Sequence, residues 1–256
     1  MTKKRANGAQ KPQTNGHAKR PSTSNGREDD RYAHIQPKGS WEIPRKVFHY
    51  SIGFFVLVLY THGFEPSDIY PALLVLLVIV GSAEILRFTS KEFNSFYISV
   101  LGPMMRKTEI STRVNGVVYY LIGCITVLYC FPKDIGSLSI VYLSWADPTA
   151  SIFGRLFGQY TPKFSNKSLA GSLGAAAIGG LVTYGFFNHM MAHGYSHPSF
   201  QPNTLLNLNQ LSLYGGFVAA FSEAIGGVVN VDDNLTIPVL SAVLLWVPLV
   251  HFGYGN

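Results

Sequence analysis

From Pro44 onward the chain is a succession of apolar runs, at about 47–64, 69–86, 114–131, 135–153, 169–188, 211–226 and 236–252. A helix needs roughly 17–20 apolar residues to cross a bilayer, and each run approaches or reaches that length. Glycines and aromatics recur within the runs, as they do in membrane helices that pack closely. The expected fold class is therefore all-α, a polytopic transmembrane helical bundle of about seven spans. Composition agrees: charged residues are 13% of the chain and hydrophobic residues 47%, against an ordinary charged share of about a quarter.

The charge that remains is unevenly placed. Residues 1–46 hold eleven Lys/Arg against four acids, so the basic character of the chain belongs to its beginning and does not indicate a nucleic-acid fold. Residues 1–38 are polar and nearly free of apolar side chains, and cannot bury enough surface to offset the entropy of ordering. The expected division is a disordered basic cytosolic tail over 1–40 and a multi-span catalytic domain over 41–256. Lys19-Arg20-Pro21-Ser22-Thr23-Ser24 reads as a basic-directed phosphorylation site or as a solubilising stretch that brushes anionic lipid. With no apolar leader at the start, targeting falls to an internal span.

With seven crossings, nineteen of the twenty Lys/Arg fall on one face and Lys133 alone on the other. Basic residues are retained in the cytosol, so the tail is expected there and the C-terminus in the lumen. Residues 88–107 interleave Phe88, Phe93, Phe96, Tyr97, Val100 and Leu101 with Lys91, Glu92, Arg106 and Lys107, the pattern of an amphipathic helix lying at the interface. Cys124 and Cys130 are six apart on one helix and face different ways, which excludes a disulfide or a metal pair between them.

An acid at mid-bilayer costs at least about 2.5–3.5 kcal/mol, so Glu84, Asp147 and Glu223 are candidates for function. Pro148 cannot continue a helix begun before it but suits the first turn of a new one. A broken helix capped by Asp147 is expected, or else a kinked one whose Asp only caps the break. Lys163-Phe164-Ser165-Asn166-Lys167-Ser168 then leads into a Gly- and Ala-rich helix containing Gly171. Free amides, the helix dipole and two ammonium groups together favour a phosphate there, although such a loop also serves simply as a positive-inside anchor. Asp232-Asp233-Asn234 offers hard oxygen ligands for Mg²⁺ or Ca²⁺, or forms a solvated turn. His49 begins the first run within reach of a headgroup or phosphate, and His189, His193 and His197 are spaced by four. No Walker loop, G-x-S-x-G or H-E-x-x-H occurs.

Four stretches in order carry a family resemblance: Pro44-Arg45-Lys46-Val47-Phe48-His49, Ser144-Trp145-Ala146-Asp147 through Gly158, Asn166 to Ser172, and Asp232 to Pro238. Over about residues 40–240 the chain resembles the fungal CTP-dependent diacylglycerol kinases of the endoplasmic reticulum and nuclear envelope. More distantly it resembles phytol kinase, dolichol kinase and phosphatidate cytidylyltransferase. The resemblance implies transfer of the CTP γ-phosphate to the hydroxyl of diacylglycerol within the bilayer, giving phosphatidate and CDP with a divalent cation and no nucleic acid. Carried across by motif, Asp147 and Gly154 belong to the nucleotide site, and Arg45 with Lys46 to an essential basic element. Lys167 and Ser168 match the family's polar loop. The expected phosphate-binding set is Gly154, Arg155, Lys163, Asn166, Lys167, Ser168 and Gly171, and the expected metal ligands are Asp147, Asp232, Asp233 and Asn234. Relatives carry a small residue where this chain has Pro148. The K-R-x-x-x-K-D signature of the cytidylyltransferases is missing, which argues against that reaction. A polyprenol or phytol is the rival acceptor, and a transporter or scaffold the rival class.

Overall fold

The computed structural model describes residues 35, 37, 39–195, 198–201, 206–229 and 231–254. The expected basic tail therefore lies almost wholly outside the described residues, as does His197.

The described chain is a helical bundle: α1 Ile43–Thr61, α2 Pro66–Thr89, α3 Lys91–Leu101, α4 Lys107–Ser111, α5 Gly116–Cys130, α6 Lys133–Phe157, α7 Leu169–Ala192, α8 Leu208–Val229 and α9 Asp233–Trp246, the last prolonged by a π turn over Val247–His251. Lys163–Phe164 (β1) and Lys167–Ser168 (β2) pair in a short antiparallel hairpin between α6 and α7. Helix starts follow their sequence signals. Asn115 Oδ1 accepts from Val117 N–H at 3.0 Å, Ser168 Oγ from Gly171 N–H at 3.2 Å and Asp232 Oδ1 from Asn234 N–H at 3.0 Å. Each satisfies an amide that the first helical turn leaves free.

Each of the seven apolar runs coincides with a helix, and four of those helices, α2, α7, α8 and α9 with its π turn, are by themselves long and apolar enough to cross a membrane. The chain is a multi-pass membrane protein. α6 mixes Ser, Tyr and Asp147 among its apolar residues because it is shielded, buried almost continuously from Asp134 to Ala150, with α1, α5, α7 and α9 around it. α2 is the opposite case and exposes Val75, Val78, Ile79 and Ile85, the surface a lipid-facing helix presents. Close approach of α7 and α8 depends on bare positions. A Cβ on Gly216 would lie 2.7 Å from the Ala176 carbonyl oxygen, and one on Gly179 would collide with the Ala219 methyl. α3 has the expected amphipathic character, with Tyr97 and Ile98 buried and Phe96 and Val100 exposed. Cys124 is buried and Cys130 exposed, both as free thiols.

One expectation is overturned. The helix does not break after Asp147; α6 runs through Pro148 without interruption. Membrane helices tolerate an interior proline when neighbouring hydroxyls take up the disturbed backbone groups. Here the Thr149 hydroxyl donates to the Trp145 carbonyl at 2.6 Å and exchanges a 2.7 Å bond with Tyr50 of α1. Asp147 is consequently a mid-helix side chain and caps nothing.

Candidate active site

Two groups of charged side chains are buried in the same half of the bundle. The first is closed. Arg87 Nε and Nη2 donate to both oxygens of Glu84 at 3.1 and 2.8 Å, and Arg87 also donates to the carbonyls of Glu109 and Arg113 at 3.1 and 2.8 Å. Asn115 N–H completes Glu84 at 3.0 Å, and the Arg87 guanidinium lies 4.3 Å from the Phe88 ring centre. The 109–115 connection is thereby fastened to the end of α2. Glu84, a candidate for function from its place in an apolar run, is a structural acid.

The second group surrounds an open basin of about 640 Å³. Seven cationic side chains line it (Arg45, Lys46, Arg106, Arg113, Arg155, Lys163 and Lys167) against four carboxylates, Glu42, Asp147, Glu223 and Asp233. Positive charge is thus in surplus even after every acid is paired. α1 supplies Arg45 and His49, one turn apart on a single face, both buried. Arg45 Nη1 donates to Glu109 Oε1 at 3.2 Å. His49 stands edge-on to Tyr120, ring centres 5.5 Å apart, and its Nδ1 has no hydrogen-bond partner among the described residues.

Lys167, at the end of the hairpin, donates to Glu223 Oε1 at 2.7 Å and to Asp233 Oδ2 at 3.0 Å, and so joins α8 to α9. Burial works against its ammonium, but Asp233, Glu223 and Asp147 outweigh that and hold its pKa well above the usual lysine value. Arg106 pairs with Asp232 at 2.9 Å. Burial opposes its charge too, and Asp232, Asp147, Glu109 and Asp233 overcome it, so that it titrates far above the working range. Both cations are fixed charges. The side chains of Lys46 and Arg155 are held more loosely, on backbone oxygens at the rim: Lys46 on Trp41 O at 2.6 Å, Arg155 on Ser40 O at 2.5 Å and Gly39 O at 3.3 Å.

The structure gathers most of the sequence candidates here. Asp147, Arg45, Lys46, Gly154, Arg155, Lys163, Asn166, Lys167, Ser168, Gly171 and Asp233 all line the basin. Two of the glycines also set the helix spacing: a Cβ on Gly171 would lie 2.9 Å from Ala150 O, and one on Gly154 would lie 3.1 Å from Ser168 Oγ. Asp232 and Asn234 are turned elsewhere. Asp232 caps α9 and holds Arg106, and the buried Asn234 amide donates to Gly116 O at 3.1 Å between α5 and α9. Among the described residues no three His, Cys, Asp or Glu side chains cluster as a metal set. Arg106 and Glu109 pair with each other across one helical turn, but what ties them to the basin are Asp232 and Arg45, 126 and 64 residues away, and these the sequence does not signal.

No protein-family model matches the chain, and no solved structure does. Among curated proteins it is 46% identical over 212 residues to CTP-dependent diacylglycerol kinase 1 of Eremothecium gossypii, which covers 80% of this chain and 66% of that protein, just under two thirds of its length. It is 41% identical over 206 residues to the Schizosaccharomyces pombe protein of the same name, covering 80% of this chain and 92% of the relative. A farnesol kinase of Arabidopsis thaliana is more distant, 30% identical over 54% of this chain and 44% of the relative. With nine tenths of a relative's length matched at that level, the chain belongs to the family of CTP-dependent diacylglycerol kinases.

Proposed function

We propose that the basin is where CTP meets a bilayer-resident diacylglycerol, and that its γ-phosphate passes there to the lipid hydroxyl. The observation that carries this reading is the surplus of positive charge in a basin that also holds a carboxylate, Asp147, in the middle of a buried helix. In the transfer the acceptor oxygen bonds to the γ-phosphorus while the bond from that phosphorus to the β-bridging oxygen breaks. CDP leaves, phosphatidate forms, and the hydroxyl proton goes to a base.

Catalysis of this kind is mostly positioning and neutralisation of charge. Lys167, held charged by its carboxylates, and Arg45 form the fixed part of the phosphate site. Lys46, Arg155 and Lys163 lie at the rim, and the first two exchange backbone oxygens for phosphate oxygens when nucleotide arrives. Asn166, Ser168 and the opening of α7 complete the cradle, with Gly154 and Gly171 keeping α6 and α7 close enough to form it.

The donor set also fits a divalent cation that arrives on the nucleotide. Mg²⁺ commonly takes one or two carboxylates together with substrate phosphate oxygens, and the basin supplies Asp147 and Asp233. When bound, the ion would withdraw charge from the phosphates. Asp232 and Asn234 serve this centre indirectly, by holding Arg106 and the start of α9. The 19-to-1 division of Lys/Arg supports a cytosolic basin and tail, in keeping with a place in the endoplasmic reticulum and nuclear envelope.

The test is CTP-dependent phosphatidate formation by purified protein in detergent–lipid micelles, with the cation titrated and ATP, phytol and a polyprenol offered in parallel. Asp147→Asn and Asp233→Asn should each remove most turnover, and the double variant should be scarcely worse than either, since residues serving one complex fail as a unit. Wild-type turnover and cation dependence in Asp233→Asn would leave the catalytic assignment resting on Asp147 alone.

A further inference from the structure

A second cavity, about 480 Å³, has Trp145 in its wall, two residues before Asp147 of the basin. Its walls are the distal halves of α1 (Leu57 to Thr61) and α7 (Ile178 to Met190), and they are almost wholly apolar. α1 and α7 both pack along α6 but hardly on each other, which leaves a gap between them. Along α7 the lining from Ile178 to His189 rises about 16 Å at 1.5 Å per residue. That is close to half the roughly 30 Å hydrocarbon core, the depth one acyl chain occupies.

Trp145 ties the two spaces together. It lies one helical turn from Pro148, which lines the basin, and it is the α6 residue of the cavity wall. Its indole is fixed: Nε1 donates to Tyr50 O at 3.0 Å, Phe54 packs at 4.7 Å between ring centres, and Gly53 is bare where any Cβ would strike the indole. The cavity thus reaches from the carboxylate-bearing turn of α6 along the distal halves of α1 and α7.

Resting on the reading of the basin as the site of phosphate transfer to diacylglycerol, we propose that this cavity receives one fatty acyl chain of the acceptor. The glycerol hydroxyl then lies by Asp147, and the chain passes Trp145 into the space beside Gly185. An apolar slot that leads from the reacting group and matches one chain in length suits a bilayer lipid and offers nothing to a nucleotide. It also places chain-length selectivity on α7, away from every charged group of the basin.

Gly185 provides the test, because it lines the cavity and a Cβ there would meet nothing within 4 Å. Gly185→Phe places a ring in the slot from a position whose Cβ is unhindered, and replaces a poor helix former. Its KM for a dioleoyl acceptor should rise about tenfold, the equivalent of losing one or two buried methylenes. KM for dioctanoylglycerol and for CTP should stay within about twofold, and Gly185→Ala should match wild type. In parallel, diacylglycerol carrying a diazirine at the end of one acyl chain should label the 178–190 segment of wild type and lose that label in Gly185→Phe. Equal response of long and short acceptors, or labelling that excess unlabelled diacylglycerol does not compete away, would overturn the assignment and leave the slot to an ordinary bilayer lipid. Absence of CTP-dependent turnover in wild type with either acceptor would instead strike at the basin reading itself.

Discussion

The Glu84–Arg87 cluster and the Lys167–Glu223–Asp233 cluster are built from the same chemistry, and both lie buried at helix ends in one half of the bundle. They differ in what is left over. In the first, four donors of one guanidinium and both oxygens of one carboxylate are used within the protein, and the charges cancel. In the second, one ammonium bridges two carboxylates at the edge of a basin where cations outnumber acids. Burying charge is costly wherever it happens. A saturated cluster recovers the cost as architecture, whereas an unsaturated one keeps part of its electrostatic field available to a ligand. Saturation separates a brace from a site better than the mere presence of an acid in an apolar helix.

Substitutions that remove charge without much volume test this distinction. Asp147→Asn should show the largest effect, a loss of about 10²–10⁴-fold in turnover if it takes the acceptor proton. Thermal unfolding in detergent should barely move. Glu84→Gln should do the reverse. Stranding Arg87 should cost about 3–5 kcal/mol of stability while turnover per folded molecule stays within a few-fold. The double variant Glu84→Gln/Arg87→Met should recover part of that loss, and an inactive but stable Glu84→Gln would refute the division between brace and site. Asp232→Ala lies between the two clusters in kind. It loses the α9 cap, about 1 kcal/mol, and releases Arg106, so a modest fall in both stability and turnover is expected. Smallest of all should be Lys133→Met, at the other end of the bundle. Its ion pair with the largely exposed Glu65, at 3.0 Å, is worth less than about 1 kcal/mol, and CTP turnover should be unchanged.

The helices were legible because apolar runs of bilayer length have few alternatives in lipid. The polar residues that meet at Asp147 were legible because few others interrupt those runs. Three features were not. The proline rule that forecast a break at Pro148 comes from helices whose freed carbonyls face water or nothing. It gives way in a helix shielded by α1, α5, α7 and α9, where Thr149 adds a hydroxyl bond to the neighbouring Trp145 carbonyl. Asp232, Asp233 and Asn234 look like a ligand set when written in a row, yet successive residues at a helix start point about 100° apart. Only the middle one turns to the basin, while its neighbours hold Arg106 and Gly116 O. Glu84 was open to a better reading, since Arg87 stands three residues on, the spacing at which helical side chains meet. Arg106 and Glu109 have the same spacing, but the further bonds of Arg106 to Asp232 and of Glu109 to Arg45 are remote in sequence and carried no hint.

The basin draws Arg45 from the first helix and Asp233 from the opening turn of the last. The cations of the wall are therefore all encoded before α9, and Asp233 is the last basin residue in the chain. Gly226 marks the seat kept for that carboxylate, since any side chain there would strike Asp233 Oδ1. A chain that ends before residue 233 holds most of the helices and every cation of the basin but lacks one of its carboxylates.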